Sequence, residues 1–108
     1  MSNREIRKII RAYADLLRKK RIRFSRIYLF GSQAEGRAHE YSDIDLAVIV
    51  DKRPAKGYLD RKIYLRKLTK DIDLRIEPTL LHKSELTDEG ETIMGHEVRV
   101  HGILVVSN

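Results

Sequence analysis

The 108-residue chain contains no cysteine. Disulfide stapling, thiolate zinc sites and a thiol nucleophile are therefore excluded. Tryptophan is also absent, and aromatic residues make up only 6% of the chain. Long apolar runs are missing as well. The longest, Leu46-Ala47-Val48-Ile49-Val50, is far short of a membrane span. No charged-then-apolar leader opens the sequence, so secretion is not indicated. A cytoplasmic protein with no membrane partner is the expectation.

Hydrophobic residues make up 42% and charged residues 35% of the chain. That balance, at this length, predicts one compact globular domain spanning 1–108. The net charge of +6 is unevenly placed. Residues 1–26 hold ten Lys/Arg against Glu5 and Asp15, so that segment is +8 and the rest of the chain is −2. Nucleic acid is one possible counterpart for such a segment. A solvated helix face, or a face that meets an acidic partner, is favoured over it, because no aromatic residues interleave with the charges as a stacking surface needs.

Ser2-Asn3-Arg4-Glu5 is a capping box that opens a helix. Ile6, Ile9, Ile10, Tyr13, Leu16 and Leu17 follow at helical spacing, which predicts one buried stripe and an end near Arg18–Lys20. The β-branched and aromatic run 26–30 reads as a short buried strand stopped by Gly31. Residues 31–42 are small and polar, with one helical turn allowed after Ser32. The run 43–50 alternates first and then turns fully apolar, as a central strand does. A turn with Pro54 and Gly57 leads to a helix over 58–70, with Leu59, Ile63 and Leu68 roughly on one face and Leu65 beside it. Ile72, Leu74 and Ile76 alternate with charged residues, which predicts a third strand ended by Pro78. Residues 79–90 read as loop. Met94, Val98 and His101 suggest a helix with Gly102 at its C′ position and a last strand at 103–106; a hairpin through 97–106 is the competing reading.

The chemistry is concentrated in one ordered arrangement. A strand ends at Phe30 and meets Gly31-Ser32; ten residues later comes Asp43-Ile44-Asp45-Leu46 at a strand start; a later strand carries Asp73. Asp-x-Asp alone means little. On a strand, however, Asp43 and Asp45 project from one face with Cα atoms about 6.6 Å apart, and a neighbouring strand lies about 4.8 Å away. Asp73 on that neighbour would supply a third carboxylate. Carboxylates so close repel one another unless cations sit among them. Oxygen ligands suit Mg²⁺ or Mn²⁺, and a pair of such ions serves in-line phosphoryl or nucleotidyl displacement. Zinc is disfavoured, because no His stands at ligand spacing. Gly31 lets backbone approach a ligand closely, and Ser32 opens a turn whose N–H groups suit a triphosphate. In the bland alternative, Asp43 caps a turn, Gly31-Ser32 is a plain strand exit, and Asp71 and Asp73 form a wet strand face.

This arrangement resembles the minimal nucleotidyltransferases of the DNA polymerase β superfamily, above all the antitoxin-type MNT partners of HEPN-domain proteins. The resemblance covers nearly the whole chain. It implies an α/β (α+β) polymerase β-like fold, a short mixed sheet with helices packed on it. It implies transfer of a nucleoside monophosphate, most readily AMP from ATP, onto an acceptor hydroxyl with release of pyrophosphate. Matched residue by residue, Gly31 and Ser32 hold the nucleotide triphosphate. Asp43, Asp45 and Asp73 are the catalytic carboxylates that bind two Mg²⁺ ions (Mn²⁺ being possible), and Asp71 is the weaker candidate for the third place. The acceptor is expected to be a tyrosine on a HEPN-type partner, supplied by another chain, or a site on a second copy. The whole reading requires Asp73 to converge with Asp43 and Asp45. Two alternatives remain: a catalytically silent module that neutralises a partner by binding, and a nucleic-acid-binding domain that uses the basic N-terminal helix. Neither the nucleotide, the acceptor nor the oligomeric state follows from the sequence.

Overall fold

The computed structural model describes residues 2–36, 42–52 and 57–108. The first helix, α1 (Asn3–Lys19), begins at Ser2, whose side chain accepts the Glu5 N–H. Its buried stripe is Ile6, Ile10, Tyr13, Ala14 and Leu17, and each large apolar side chain sealed there contributes roughly 1.5–3 kcal/mol. Strand β1 (Arg26–Phe30) runs directly into α2 (Gly31–Ala34), a single turn, and β2 spans Ile44–Val50. Helix α3 (Tyr58–Leu68) continues as a 3-10 turn, Thr69–Asp71. Strand β3 (Ile76–His82), the 3-10 turn Lys83–Leu86, α4 (Ile93–His101) and β4 (Ile103–Ser107) complete the order.

The four strands form one mixed sheet in the order β3-β2-β1-β4. β1 pairs antiparallel with β2 and β4, and β2 pairs parallel with β3. Alternation along β2 divides the core. Ile44, Leu46, Val48 and Val50 meet α1 and α3 on one face. Ala47 and Ile49 join Phe30, Leu81 and Val98 of α4 on the other. Burial from both sides accounts for the continuous apolar run in β2. Tyr13 ties the first layer together: its hydroxyl donates to the Leu65 carbonyl at 2.7 Å, and burial pushes the phenol above its ordinary value.

The third strand departs from expectation. It covers Ile76–His82, not 72–77, and Pro78 lies inside it. β3 is an edge strand, so one side of its backbone has no partner strand and the missing proline N–H breaks no ladder bond. The apolar-charged alternation at 72–76 belongs instead to the turn that enters the strand. In α3 the buried residues are Leu65 and Leu68, while Leu59 and Ile63 face outward. Gly102 caps α4 in an extended conformation, not a left-handed one, and the helix-then-strand reading of 93–107 holds over the hairpin. The expected turn around Pro54 falls outside the described residues. Among the described residues, no helix is long and apolar enough to cross a membrane.

Candidate active site

The functional residues gather where the α4-side face of the sheet emerges from beneath α4. Antiparallel register places Phe30 opposite Asp45, so the strand that ends in the Gly-Ser turn delivers that turn to the carboxylate. Gly31 has φ +72, and a Cβ there would overlap Asp45 Oδ2. Only glycine fits a left-handed backbone pressed this closely against a side chain. Gln33, buried in the turn, donates from Nε2 to the Ser42 carbonyl at 3.4 Å, which fastens α2 to the residue before Asp43. Gly31, Ser32, Asp43 and Asp45 therefore form one cluster.

Asp43 is exposed and Asp45 half-buried. The Asp45 carboxyl is held above its ordinary range, first by burial and then by the negative charges of Asp43 and Glu77. Glu77 is the register partner of Asp45 on β3, and residues paired across neighbouring strands share a face. Thus the third acidic side chain that the sheet brings to the aspartate pair is Glu77. Asp73 lies three residues before β3, where its carboxylate accepts the Arg75 backbone N–H at 2.9 Å and the Arg75 guanidinium at 3.0 and 2.7 Å. That guanidinium holds the Asp73 carboxyl below its ordinary range. Asp71 closes the 3-10 turn further upstream.

The sequence pattern starts the strand four residues too early and ends it at Pro78, which puts Glu77 at the strand's end and not among the candidate carboxylates. Its signal is the β-branched and apolar set Ile76, Thr79, Leu80 and Leu81 around Glu77-Pro78, long enough to be the strand itself. Arg66 of α3 adds a cation at this end of the sheet. It ion-pairs with Glu77, and the negative charges of Glu77 and Asp43 both favour its charged form.

The donor set suits a hard divalent cation. Asp43, Asp45 and Glu77 offer oxygen only, and the burial and negative neighbours that disfavour charge on Asp45 are what a bound cation offsets. Among the described residues, however, the acidic or histidine side chains whose ligand atoms gather within 4.8 Å of one another are a different set, and the carboxylates of Asp43, Asp45 and Glu77 stand further apart than that. Glu97 and His101, one turn apart on α4, place a ligand atom each within 4.8 Å of one on Glu35, just after α2. His101 is thus less isolated than its sequence spacing suggests, although such exposed groups are common without a metal.

Three solved structures share this architecture. A nucleotidyltransferase candidate from Sulfolobus solfataricus superposes with a TM-score of 0.68 at 16% identity, covering 96% of this chain and 82% of that one. A toxin–antitoxin structure with AMP-PNP gives a TM-score of 0.63 at 26% identity, covering 94% of this chain and 73% of its own. A toxin–antitoxin MntA–HpeT mutant gives 0.60 at 23%, covering 91% and 73%. Sheet, turn and carboxylates together define a nucleotidyltransferase of the polymerase β type. The family model described as polymerase beta, nucleotidyltransferase, matches residues 11–108, and the chain belongs to that family. No curated protein matches it significantly.

Proposed function

We propose that the chain, as a single minimal domain, transfers AMP from ATP to a hydroxyl on a partner protein, a tyrosine of a HEPN-type toxin, and so acts as its antitoxin. The observation that carries this reading is the meeting of Gly31-Ser32 with Asp43, Asp45 and the register partner Glu77 at one end of the sheet. The 26% identity to a toxin–antitoxin structure containing AMP-PNP supports the nucleotide and the partner class.

In this reading Gly31 and Ser32 receive the triphosphate, with the backbone N–H groups of α2 directed at its oxygens. Asp43 and Asp45 hold divalent ions, Mg²⁺ in the first instance, which supply charge neutralisation and alignment of the α-phosphate when bound. The acceptor oxygen attacks the α-phosphorus, its bond to the pyrophosphate oxygen breaks, and the acceptor proton passes to a carboxylate. We assign the third carboxylate's role to Glu77, the register partner of Asp45, in place of Asp73. Each candidate is held by an arginine, Glu77 by Arg66 and Asp73 by Arg75, so the choice rests on register with Asp45.

The test is to incubate the chain with Mg²⁺, ATP labelled at the α-phosphate and the product of the neighbouring reading frame. One labelled band on that partner is the expected result. Stoichiometric inhibition of the partner with no adduct would instead establish the silent binding module.

A further inference from the structure

β2 has a second charged end. Asp45 lies near its start, and Val50, its last residue, is five residues on, about 17 Å of extended chain. Beyond it, Arg21, Arg23, Lys52 and Arg61 line one recess of about 350 Å³, together with Ile22, Val50 and Leu80. The cations come from the end of α1, the end of β2 and the first turns of α3. No described acidic residue lines the recess. None of the four cations makes an ion pair or a side-chain hydrogen bond among the described residues. Asp51 lines the adjoining recess that shares Arg23 and Lys52 and offsets part of this charge; four cations around one recess still cost energy that an anion would recover.

Arg21 adds an independent observation. Its φ is +59, and among the described residues no other non-glycine has a positive φ. It sits where α1 unwinds: its N–H donates to the Arg18 carbonyl and the Ile22 N–H to the Leu17 carbonyl, both at 2.9 Å. This is the double closure that favours glycine at the left-handed position. An arginine there strains the turn while adding a guanidinium to the recess.

We propose that Arg21, Arg23, Lys52 and Arg61 form a phosphate-binding site, remote from the carboxylates, that takes the phosphates of single-stranded nucleic acid or of a free polyphosphate. Guanidinium forks match phosphate oxygens two at a time, and an ammonium adds a point charge. Exposed Lys19 and Lys20 continue the positive surface beside it, which suits more than one phosphate. The site stands apart from the transferase reading, and neither depends on the other.

Binding of the full chain to a labelled single-stranded RNA of mixed sequence is the test, with inorganic tripolyphosphate as competitor. Four phosphate contacts predict a log–log salt slope of about −3. The double variant Arg23→Gln/Arg61→Gln is expected to bind roughly tenfold more weakly and to flatten the slope by about 1.4. Arg21→Gly is expected to weaken binding while raising the thermal midpoint by a few degrees, a split that a merely structural arginine would not produce. Displacement by micromolar tripolyphosphate would assign the recess to free polyphosphate, and resistance to millimolar amounts would assign it to the strand; both support the site. Failure of RNA and tripolyphosphate alike to bind, wild-type affinity in the double variant, or equally tight binding of polyglutamate would overturn it.

Discussion

The two ends of β2 carry opposite charge. At its start, Asp43 and Asp45 meet Glu77, and burial first, then the charges of Asp43 and Glu77, raise the Asp45 carboxyl. At its finish, Arg21, Arg23, Lys52 and Arg61 face a recess without an acid among its described lining residues. Between them Leu46, Ala47, Val48, Ile49 and Val50 are sealed on both faces. A central strand cannot hold charge in its middle, so its ionic groups collect where the covering helices stop. The ends also differ in how their backbone is built. The acidic end uses glycine where φ is positive, at Gly31; the basic end uses Arg21. Glycine at the first makes room for a neighbouring side chain. Arginine at the second keeps a charge that glycine would remove.

The largest effects are expected at the acidic end. Asp43→Asn and Asp45→Asn should each lower nucleotidyl transfer by a factor on the order of 10³ or more, measured with labelled ATP, while the far-ultraviolet spectrum stays that of the folded chain. Undiminished transfer in both variants would refute the metal-cage reading. Gly31→Ala acts on backbone and site together. It should cost about 1–3 kcal/mol in denaturant unfolding, because the new Cβ meets Asp45 at a left-handed position.

A probe placed away from both ends sharpens the contrast. Tyr13→Phe removes only the bond from α1 to the Leu65 carbonyl. It should cost about 1 kcal/mol by chemical denaturation and leave transfer intact.

The pH dependence gives the smallest effects, of opposite sign at two aspartates. Asp73 has a depressed folded value, because the Arg75 guanidinium bonds its charged form. Its stabilisation is present above the unfolded value of about 3.9 and is lost as pH falls through the folded one. Asp73→Asn should therefore destabilise the chain at neutral pH, and the difference should shrink in strong acid. Asp45 is raised, by burial first and then by Asp43 and Glu77. Without divalent ions its charge opposes folding at neutral pH, and protonation relieves it. Asp45→Asn in chelator should raise the thermal midpoint at neutral pH, a gain that fades as pH falls through the raised value. The same direction of change at both positions would contradict the charge assignments.

Much of this was legible in the residues. The capping box and apolar stripe of α1 are local signals, and the helix starts and stops where they indicate. The meeting of Gly31-Ser32 with Asp43 and Asp45 also follows from order along the chain, since two antiparallel strands joined by a short segment must bring that turn and that pair together. The proposed third carboxylate, Glu77, is not legible in the same way. Its identity depends on the register of a parallel strand that arrives through α3, and no local pattern sets that register. Pro78 pointed the wrong way, because a proline inside a strand is tolerated only at an edge, and edge position is a property of the whole sheet. The basic recess was hidden for the same reason. Arg21 and Arg23 are near neighbours in sequence, but Lys52 and Arg61 reach them only through the fold.

The central claim is that Glu77, aligned with Asp45, completes the catalytic carboxylates. Single-turnover nucleotidyl transfer to the partner, compared between Glu77→Gln and Asp73→Asn, tests it most directly. The account predicts that Glu77→Gln abolishes transfer and that Asp73→Asn retains most of it. Full transfer by Glu77→Gln, together with its loss in Asp73→Asn, would contradict it.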